Sequence, residues 1–372
     1  MGFQFQSVAA VSPLISADLG LDKSQLGWLI GLYLLPGIAI ALPGGLLGAR
    51  FGDKRLVLVG LGLMSAGGLW LSLADSFYEA TAARITSGVG AVTLNVLVTK
   101  MVADMFEGRE RFLAMSILIN SWPIGIGLAL LVIGPLSEVS SWHLGVLSSA
   151  VMAAVGFLTV LTFYRAPMGS EPPAPASGVG LGSLTGKEWQ LLLISSLPWM
   201  LYNAAFQIEI SFLPSIFVAS GYGIKDAGSL VAVNAVLFVV GVQAGGILLK
   251  QARRPDLVCY FAIVAWCISL LLLTSNTDPL PWLILGGLVG GIPAAALVSL
   301  PTEFLAAASR SAGMGIFYTV YYLGCAILPG FAGRVYDLHG GRSALWMAAG
   351  AAFVAVPILW LFRRALATTE TS

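Results

Sequence analysis

The side chains of this sequence that could do chemistry are polar groups set inside long apolar segments. The sharpest example is Arg84, which begins the run Arg-Ile-Thr-Ser-Gly-Val-Gly-Ala. A charge within the apolar core of a membrane is costly, so it usually faces a cavity or a partner. Asn95 falls on the same helical face as Arg84, with small residues between them. We expect a cavity wall on which Arg84 meets an anionic or carboxylate-bearing solute. The alternative is that Glu79, about one turn away, neutralises it.

Amide side chains in the apolar segments also predict a polar cavity. An amide buried in hydrocarbon without a partner costs roughly several kcal/mol, so each should face a cavity or form a hydrogen bond. Neighbouring aromatic residues are expected to complete the wall, with packing as the alternative for them. Besides Arg84 and Asn95, the candidate lining residues are Gln6, Asn120, Trp122, Asn203, Gln207, Tyr318 and Tyr322.

The second ionisable residue in an apolar segment is Glu209. Counted from Trp189, it lies about 30 Å along a helix, at 1.5 Å per residue. That distance places it near the membrane boundary, so we expect an interfacial, solvated carboxylate. The alternative is a gate or a proton-binding site.

Several classes of function are disfavoured. No Gly-x-x-x-x-Gly-Lys-Ser/Thr loop for nucleotide phosphates is present in the sequence. His143 and His339 have no metal-ligand neighbours, and the cysteines lie in apolar segments without metal-ligand spacing. The net charge of +1 lacks the basic footprint of a nucleic-acid binder. We therefore expect no enzyme activity, no metal, no cofactor and no nucleotide or nucleic-acid partner.

The composition predicts a helical membrane protein. Of 372 residues, 58% are hydrophobic and 10% are charged, whereas soluble domains carry about 25% charged residues. A membrane-spanning helix needs about 20 mostly apolar residues. By this criterion the sequence predicts an all-α fold of twelve segments: Met1–Ala17, Gln25–Gly48, Leu56–Ala74, Phe77–Lys100, Phe112–Leu136, His143–Tyr164, Trp189–Val218, Ala227–Leu249, Leu257–Ser275, Pro281–Leu300, Ser311–Val335 and Ser343–Leu361.

The longest polar stretch divides these segments into two sets of six. It contains Glu-Pro-Pro-Ala-Pro-Ala-Ser-Gly, a composition typical of an irregular linker. We expect bundles at residues 1–165 and 189–364, a cytoplasmic linker at 166–188 and a tail at 365–372. Most lysines and arginines fall in loops on the side of both termini, which the positive-inside rule assigns to the cytoplasm of a plasma (inner) membrane.

The two sets are internal repeats. Residues 201 positions apart match, as in Phe5 with Phe206, Gln6 with Gln207, and Gly20 with Gly221. Transporters built from such repeats bind their substrate at the repeat interface near the membrane midplane. The same alignment leaves about 13 residues at the start of segment 7 without a counterpart in segment 1. We therefore expect segment 1 to be truncated, with its missing part encoded upstream of Met1.

The loop after segment 2 resembles the signature loop of the major facilitator superfamily, Gly-x-x-x-Asp-Arg-x-Gly-Arg-Arg/Lys. Gly45, Arg50, Gly52 and Lys54 match in place, whereas an alanine replaces the family's Asp and Asp53 stands where a base is usual. In the family this loop latches the two halves together, so the missing carboxylate alters the latch unless Asp53 supplies it.

The run that begins at Arg84 is similar to the family's Arg-x-x-x-Gly-x-Gly pattern in helix 4. The resemblance, which covers essentially the whole chain, implies alternating access by a secondary transporter, with helices 1, 4, 7 and 10 around the path. The Gly-Pro-x-x-Gly-Gly ending of the superfamily's antiporters is absent from segment 5, which disfavours antiport. Segments 1 to 5 also resemble bacterial cyanate and nitrate-like members.

The function expected is transport of a small polar solute, with an anion as the candidate that Arg84 favours and a proton as a candidate co-substrate. Efflux of apolar compounds is the alternative within transport, and it would need an aromatic and aliphatic cavity. A non-transporting membrane receptor on the same fold is the alternative from another class; such proteins commonly gain long tails or extra domains.

Overall fold

The computed structural model describes residues 1–41, 51–106, 108–164, 184–275, 277–306 and 309–370, and these residues are almost entirely helical. The helices are α1 (Gly2–Ala10), α2 (Ser12–Asp18), α3 (Lys23–Gly31), α4 (Gly37–Ile40), α5 (Asp53–Leu71), α6 (Phe77–Met105), α7 (Gly108–Val139), α8 (Trp142–Phe163), α9 (Gly186–Ala219), α10 (Ile224–Gln251), α11 (Pro255–Leu272), α12 (Leu280–Gly291), α13 (Ala294–Ser299), α14 (Arg310–His339) and α15 (Gly341–Glu370).

Ten spans within the described residues are long and apolar enough to cross a membrane. They correspond to the third to twelfth predicted segments. Large apolar side chains such as Val59, Phe163 and Phe261 are exposed on them. Extensive apolar exposure of this kind is expected where lipid, and not water, surrounds the helices.

The first two predicted segments differ from continuous spans. Segment 1 is interrupted at Val11, between α1 and α2, with Pro13 in the first turn of α2. Segment 2 is interrupted between α3 and α4, and Pro36 caps α4. Proline lacks a backbone N–H and clashes with the preceding turn, which explains interruptions that apolar length alone does not predict. Residues 42–50 of segment 2 lie outside the described residues.

Two boundaries also differ from the sequence prediction. Helix α9 begins at Gly186, within the predicted linker, because Thr185 and Glu188 form a reciprocal capping box. Helix α15 continues to Glu370, beyond the predicted end of the second bundle at residue 364. Residues 166–183 of the predicted linker lie outside the described residues.

Residues 201 positions apart adopt the same backbone conformation at the turns before α3 and α10. Gly20 and Gly221 follow α2 and α9, and both have positive φ, 63° and 97°. Glycine adopts this conformation without the steric cost that a side chain adds. Two residues later, Asp22 and Gly223 are the N-caps of α3 and α10. The turns that begin α3 and α10 are therefore built alike.

The N-terminal part (residues 1–164) and the C-terminal part (residues 184–370) pack through α3 against α14, α7 against α10, and α1 against α9. Glycines bring these backbones together. A methyl group on Gly27 of α3 would overlap the carbonyl oxygen of Pro329 on α14. A methyl group on the repeat partner, Gly228 of α10, would lie 2.8 Å from the carbonyl oxygen of Leu130 on α7.

Candidate functional site

A small void lies where the two parts meet. Its volume is about 20 Å³, which is room for about one water molecule in this conformation. Both parts contribute to its wall, and none of its lining residues is charged. We call it the central void, and it is lined by Phe5, Leu34, Trp122, Asn203, Phe206, Gln207, Ile210, Tyr321 and Cys325.

Gln207 is the distinctive polar residue of the central void. Its side chain is 4% exposed, and among the described residues neither its Nε2 nor its Oε1 has a hydrogen-bond partner. Its repeat partner Gln6 is also buried and donates from Nε2 to the carbonyl oxygen of Ile210 at 2.8 Å, while Gln6 Oε1 has no described partner. A buried unsatisfied polar group costs about 1–3 kcal/mol. The two amides therefore offer unused hydrogen-bonding capacity at the interface of the two parts.

Aromatic rings form flat walls beside these amides. The ring centroids of Phe5 and Trp122 are 5.1 Å apart. On the other side, Phe206 stacks on Phe238 with centroids 4.1 Å apart. Phe5 and Phe206 are themselves a repeat pair, adjacent in sequence to Gln6 and Gln207, and this adjacency is the signal that could have identified them as lining residues.

Of the other predicted lining residues, Trp122 and Asn203 do line the central void. Asn203 Nδ2 donates to the carbonyl oxygen of Trp199 on its own helix at 2.8 Å. Asn95 Nδ2 lies 3.5 Å from the hydroxyl of Tyr322, which joins α6 to α14 away from the void. Asn120 and Tyr318 are partly buried and are not among the residues that line it.

Tyr321 and Cys325 of α14 line the void, as does Leu34 between α3 and α4. Sequence reasoning did not select these three. Helical spacing alone cannot rank Tyr321 against its neighbours Tyr318 and Tyr322, because the choice depends on the rotation of α14.

Arg84 does not line the central void, contrary to the expectation from the sequence. It is 0% exposed, and its guanidinium donates to the carbonyl oxygens of Leu29, Gln4 and Phe5 at 2.9, 2.9 and 3.0 Å. The guanidinium also lies over the ring of Tyr33, 4.5 Å from its centroid. A backbone carbonyl has a second lone pair that can accept such a bond while the helix keeps its own. Arg84 therefore joins α1, α3 and α6.

The alternative reading of Arg84 also differs from the structure. The carboxylate of Glu79 accepts from the backbone N–H of Asp75 at 3.1 Å, at the start of α6. Glu79 thus takes part in capping the helix, where a carboxylate near the N-terminus is favourable.

The expectation of a solvated, interfacial Glu209 is wrong. Its side chain is 0% exposed, with Oε1 accepting from Asn234 Nδ2 at 3.1 Å and Oε2 from Trp266 Nε1 at 2.9 Å. The carboxylate faces the interior of the C-terminal part, between α9, α10 and α11. Distance along a helix gives depth only, and the burial of this side chain follows from the neighbouring helices.

The described residues of the signature loop lie at one end of the bundle. Gly52 has φ 86° and precedes α5. Asp53 pairs with Lys100 at 2.6 Å, and Lys54 Nζ donates to the carbonyl oxygen of Tyr164 at 2.6 Å. These contacts join α5 to α6 and to the end of α8, all in the N-terminal part. Gly45 and Arg50 lie outside the described residues.

At the opposite end, two carboxylates cap helices of the other part. Asp337 of α14 accepts from the backbone N–H groups of Lys23 and Ser24, at the start of α3, at 3.0 and 2.8 Å. Glu138 of α7 accepts from the backbone N–H of Lys225, at the start of α10, at 3.2 Å. Ser24 and Lys225 are 201 positions apart, so the two capped N–H groups are repeat partners, whereas the carboxylates that cap them are 199 positions apart. We call Asp337 and Glu138 the two carboxylate caps.

The two carboxylate caps accept hydrogen bonds from backbone N–H groups that have no partner within their own helix. The first N–H groups of an α-helix have no partner within the helix, and they carry a partial positive charge. Nearby, the hydroxyls of Ser12 and Ser215 are 2.7 Å apart and join the first and second parts directly. This end of the molecule, the capped end, is therefore closed by contacts between the parts.

A larger cavity of about 450 Å³ is not at this interface. It lies within the C-terminal part at the capped end and is lined by residues of α9, α14 and α15 and by the loops after α9 and α11, among them Ser220, Thr277 and Arg342. No residue of the N-terminal part contributes to its lining. Within the described residues, no three His, Cys, Asp or Glu side chains form a group that could hold a metal.

Comparison with known proteins identifies the family. A family model described as Major Facilitator Superfamily matches residues 1–302. The 3-(3-hydroxy-phenyl)propionate transporter of Escherichia coli K12 is 25% identical over 378 aligned positions, covering 97% of this chain and 90% of that protein. The hexuronate transporter of Bacillus subtilis 168 is 20% identical over 278 positions, covering 70% of this chain and 65% of that protein.

A similar fold is found among solved structures. The nucleoside transporter NupG superposes with a TM-score of 0.74 at 14% identity, covering 98% of this chain and 96% of that one. The narrower resemblance to cyanate and nitrate carriers stays a prediction. With a family model that matches most of its length, the chain belongs to the major facilitator superfamily of integral membrane transporters.

Proposed function

We propose that this protein is a secondary transporter that moves a small polar solute through the central void by alternating access. The observation that carries the proposal is the pair of carboxylate caps, because they close one end of the interface on which unpaired Gln207 lies. The proposal includes twelve membrane helices in two bundles joined by the linker, with the second bundle extended to residues 186–370, where α9 begins and α15 ends.

The proposed orientation places both termini in the cytoplasm of the plasma (inner) membrane. Its support is the excess of Lys and Arg in loops on that side. The capped end then faces outward, and the end that carries Asp53 faces the cytoplasm. In this assignment the structure is in a conformation closed to the outside.

The two caps have a strength suited to a reversible closure. An anion at an exposed helix N-terminus contributes about 0.3–1 kcal/mol, so both caps together contribute about 0.6–2 kcal/mol. A change of 1.4 kcal/mol shifts a two-state ratio about tenfold. The caps therefore favour the closed outer end without making it permanent.

Loss of the caps is expected to open the outer end. In the double variant Asp337→Asn, Glu138→Gln the helix N-termini lose their anionic partners, and the outward-open fraction should rise about tenfold. Asn203→Cys, which lines the void, reports this opening in intact cells through its reaction rate with a membrane-impermeant thiol reagent. The matched control is Asp75→Asn, Glu79→Gln, which removes two carboxylates near the start of α6 within one part.

Equal labelling rates in the parent and the cap variant would contradict the closure proposed here. We expect faster labelling in the cap variant than in the parent. The Asp75 and Glu79 control should be labelled at the parent's rate.

Efflux of amphipathic compounds is a second candidate. The wall of the central void is mostly aromatic and aliphatic, as that function requires. The anionic solute expected from the sequence depended on Arg84, whose guanidinium is bound to three backbone carbonyl oxygens and which is not among the residues that line the void. Proteoliposomes loaded with a fluorescent hydrophobic cation such as ethidium separate the candidates, since only an efflux carrier of apolar compounds would discharge it.

We also propose Glu209 as the site of a coupling proton. Its support is full burial with two uncharged donors, Asn234 and Trp266, since a buried carboxylate without a counter-charge is costly. Tyr202, on the same helix, is the neighbouring ionisable group and donates its hydroxyl to the carbonyl oxygen of Gly290 at 2.6 Å. Protonation removes the buried charge and leaves Trp266 with a neutral acceptor.

Glu209→Gln should therefore remove a pH-dependent signal. In the parent, titration of Glu209 changes the charge beside the Trp266 indole, so its fluorescence varies with pH. Trp266→Phe identifies which part of the emission comes from this indole, and Glu79→Gln is the matched control on an exposed carboxylate. A pH profile in Glu209→Gln that matches the parent would exclude Glu209 as the titrating group.

A further inference from the structure

We infer that the solute of the central void is uncharged and carries a planar amide or lactam edge, which binds Gln207. This inference rests on the proposed function, because it assigns the substrate class of the same site. It begins from the two unpaired atoms of Gln207, one a donor and one an acceptor, held 4% exposed between the two parts.

The amide of Gln207 is complementary to a group that offers a hydrogen-bond acceptor next to a donor. Its Nε2 donates and its Oε1 accepts, and these two atoms are adjacent. A primary amide or a lactam presents one N–H and one C=O along a single edge, so it can form hydrogen bonds with both Oε1 and Nε2 of Gln207 at once. Glutamine binds a nucleobase edge through the same paired geometry. Gln6 Oε1 is a second buried acceptor without a described partner, but Gln6 is not among the residues that line the void.

The wall of the void argues against an anion. A carboxylate has only acceptors, so it would leave Gln207 Oε1 facing a negatively charged oxygen. No residue that lines the void is a lysine, arginine or histidine. The guanidinium of Arg84 already donates to the carbonyl oxygens of Leu29, Gln4 and Phe5. Burial of an uncompensated charge is far more costly than burial of a paired amide.

The aromatic walls favour a flat solute. Four aromatic side chains from both parts of the molecule line the void: Phe5, Trp122, Phe206 and Tyr321. Flat uncharged rings pack against aromatic side chains in offset or edge-to-face arrangements. The present volume of about 20 Å³ holds about one water, so the walls must separate at the end away from the carboxylate caps to admit a solute. Aromatic carboxamides and lactams combine the required edge with a planar body.

Matched pairs of compounds test this inference directly. The pairs are nicotinamide with nicotinate, benzamide with benzoate, and 3-phenylpropionamide with 3-phenylpropionate, so each pair differs only in amide against carboxylate. A ligand that binds the folded state raises its apparent melting temperature. We expect the amides to raise the melting temperature of the purified protein and the carboxylates to leave it unchanged.

Gln207→Leu should weaken amide binding by about ten- to a hundredfold, because two hydrogen bonds are lost. The matched control is Gln251→Leu, an exposed glutamine at the end of α10, which should bind amides as the parent does. Since the Gln207 amide has no hydrogen-bond partner among the described residues, its replacement by leucine should leave the fold intact, and the melting temperature without ligand verifies this.

Three results would overturn the inference. Stabilisation by carboxylates and not by amides would exclude the uncharged class, and equal amide binding by Gln207→Leu would exclude Gln207 as the ligand. The absence of any shift with all six compounds would also count against a planar amide solute. Each of these leaves alternating access standing, because that proposal is tested separately by the opening of the capped end.

Discussion

Gly27→Val is expected to yield a folded protein that cannot close its capped end. Even a methyl group on Gly27 would overlap the carbonyl oxygen of Pro329, and the backbone of Gly330 lies next to it. These atoms belong to the backbone of α14, so they cannot move aside as a flexible side chain would. Overpacking of this kind costs about 1–3 kcal/mol, and here the cost falls only on the conformation in which α3 and α14 touch.

The outward-open fraction should therefore rise tenfold or more, and net transport should fall because the closed state is required in each cycle. The measurement is again the labelling rate of Asn203→Cys in intact cells. Gly62→Val and Gly350→Val are matched controls, since a methyl group at either position meets no atom within 4 Å. Slow labelling of Gly27→Val, like that of the parent, would contradict the tight approach of α3 and α14.

Arg84→Ala is expected to cause the largest loss of stability of any substitution considered. It removes three hydrogen bonds and the contact with Tyr33, and it leaves a cavity at the junction of α1, α3 and α6. Truncation of a large buried side chain costs about 3–5 kcal/mol. Arg84→Lys should fall between the parent and Arg84→Ala, because an ammonium group cannot reproduce the planar fork of the guanidinium.

The apparent melting temperature of the purified protein in detergent measures this effect. The matched control is Arg364→Ala, an exposed arginine that lies over the ring of Trp360, and its effect should be within about 0.5 kcal/mol. A normal melting temperature in Arg84→Ala, combined with lost solute binding, would restore the role in the cavity that the sequence predicts.

The long helices were predictable from sequence because a membrane span imposes a length and an apolar composition that few soluble segments share. The third to twelfth predicted segments each overlap one of the ten spans. The interruptions at Val11 and before Pro36 were less predictable. Proline is tolerated within α7, α9, α14 and α15 but accompanies a break in the first two segments, and neighbouring helices decide which occurs.

The candidate site was predictable where the repeat supplied a second constraint. The pairing of Gln6 with Gln207 placed two amides at equivalent depths, and both lie at the contact between α1 and α9. Arg84 and Glu209 had no such constraint. Their type predicts a partner, but carbonyl oxygens for Arg84 and an indole with an amide for Glu209 are partners that only the packing of other helices provides.

Distances across the two ends of the molecule test alternating access most directly. Spin labels at Tyr78→Cys and Tyr222→Cys span the capped end, and labels at Phe51→Cys and Gln251→Cys span the opposite end. In both of these pairs, one label is in the N-terminal part and the other is in the C-terminal part. A third pair, Tyr78→Cys with Phe163→Cys, lies within the N-terminal part and serves as the control.

The native cysteines, Cys259, Cys267 and Cys325, are buried and would be replaced by alanine in this background. The proposed mechanism predicts a short distance across the capped end in the parent and a second, longer population in Asp337→Asn, Glu138→Gln. The opposite end should shorten in the same molecules, while the control pair stays constant. A single unchanged distance at both ends, with and without the caps, would contradict alternating access about the central void.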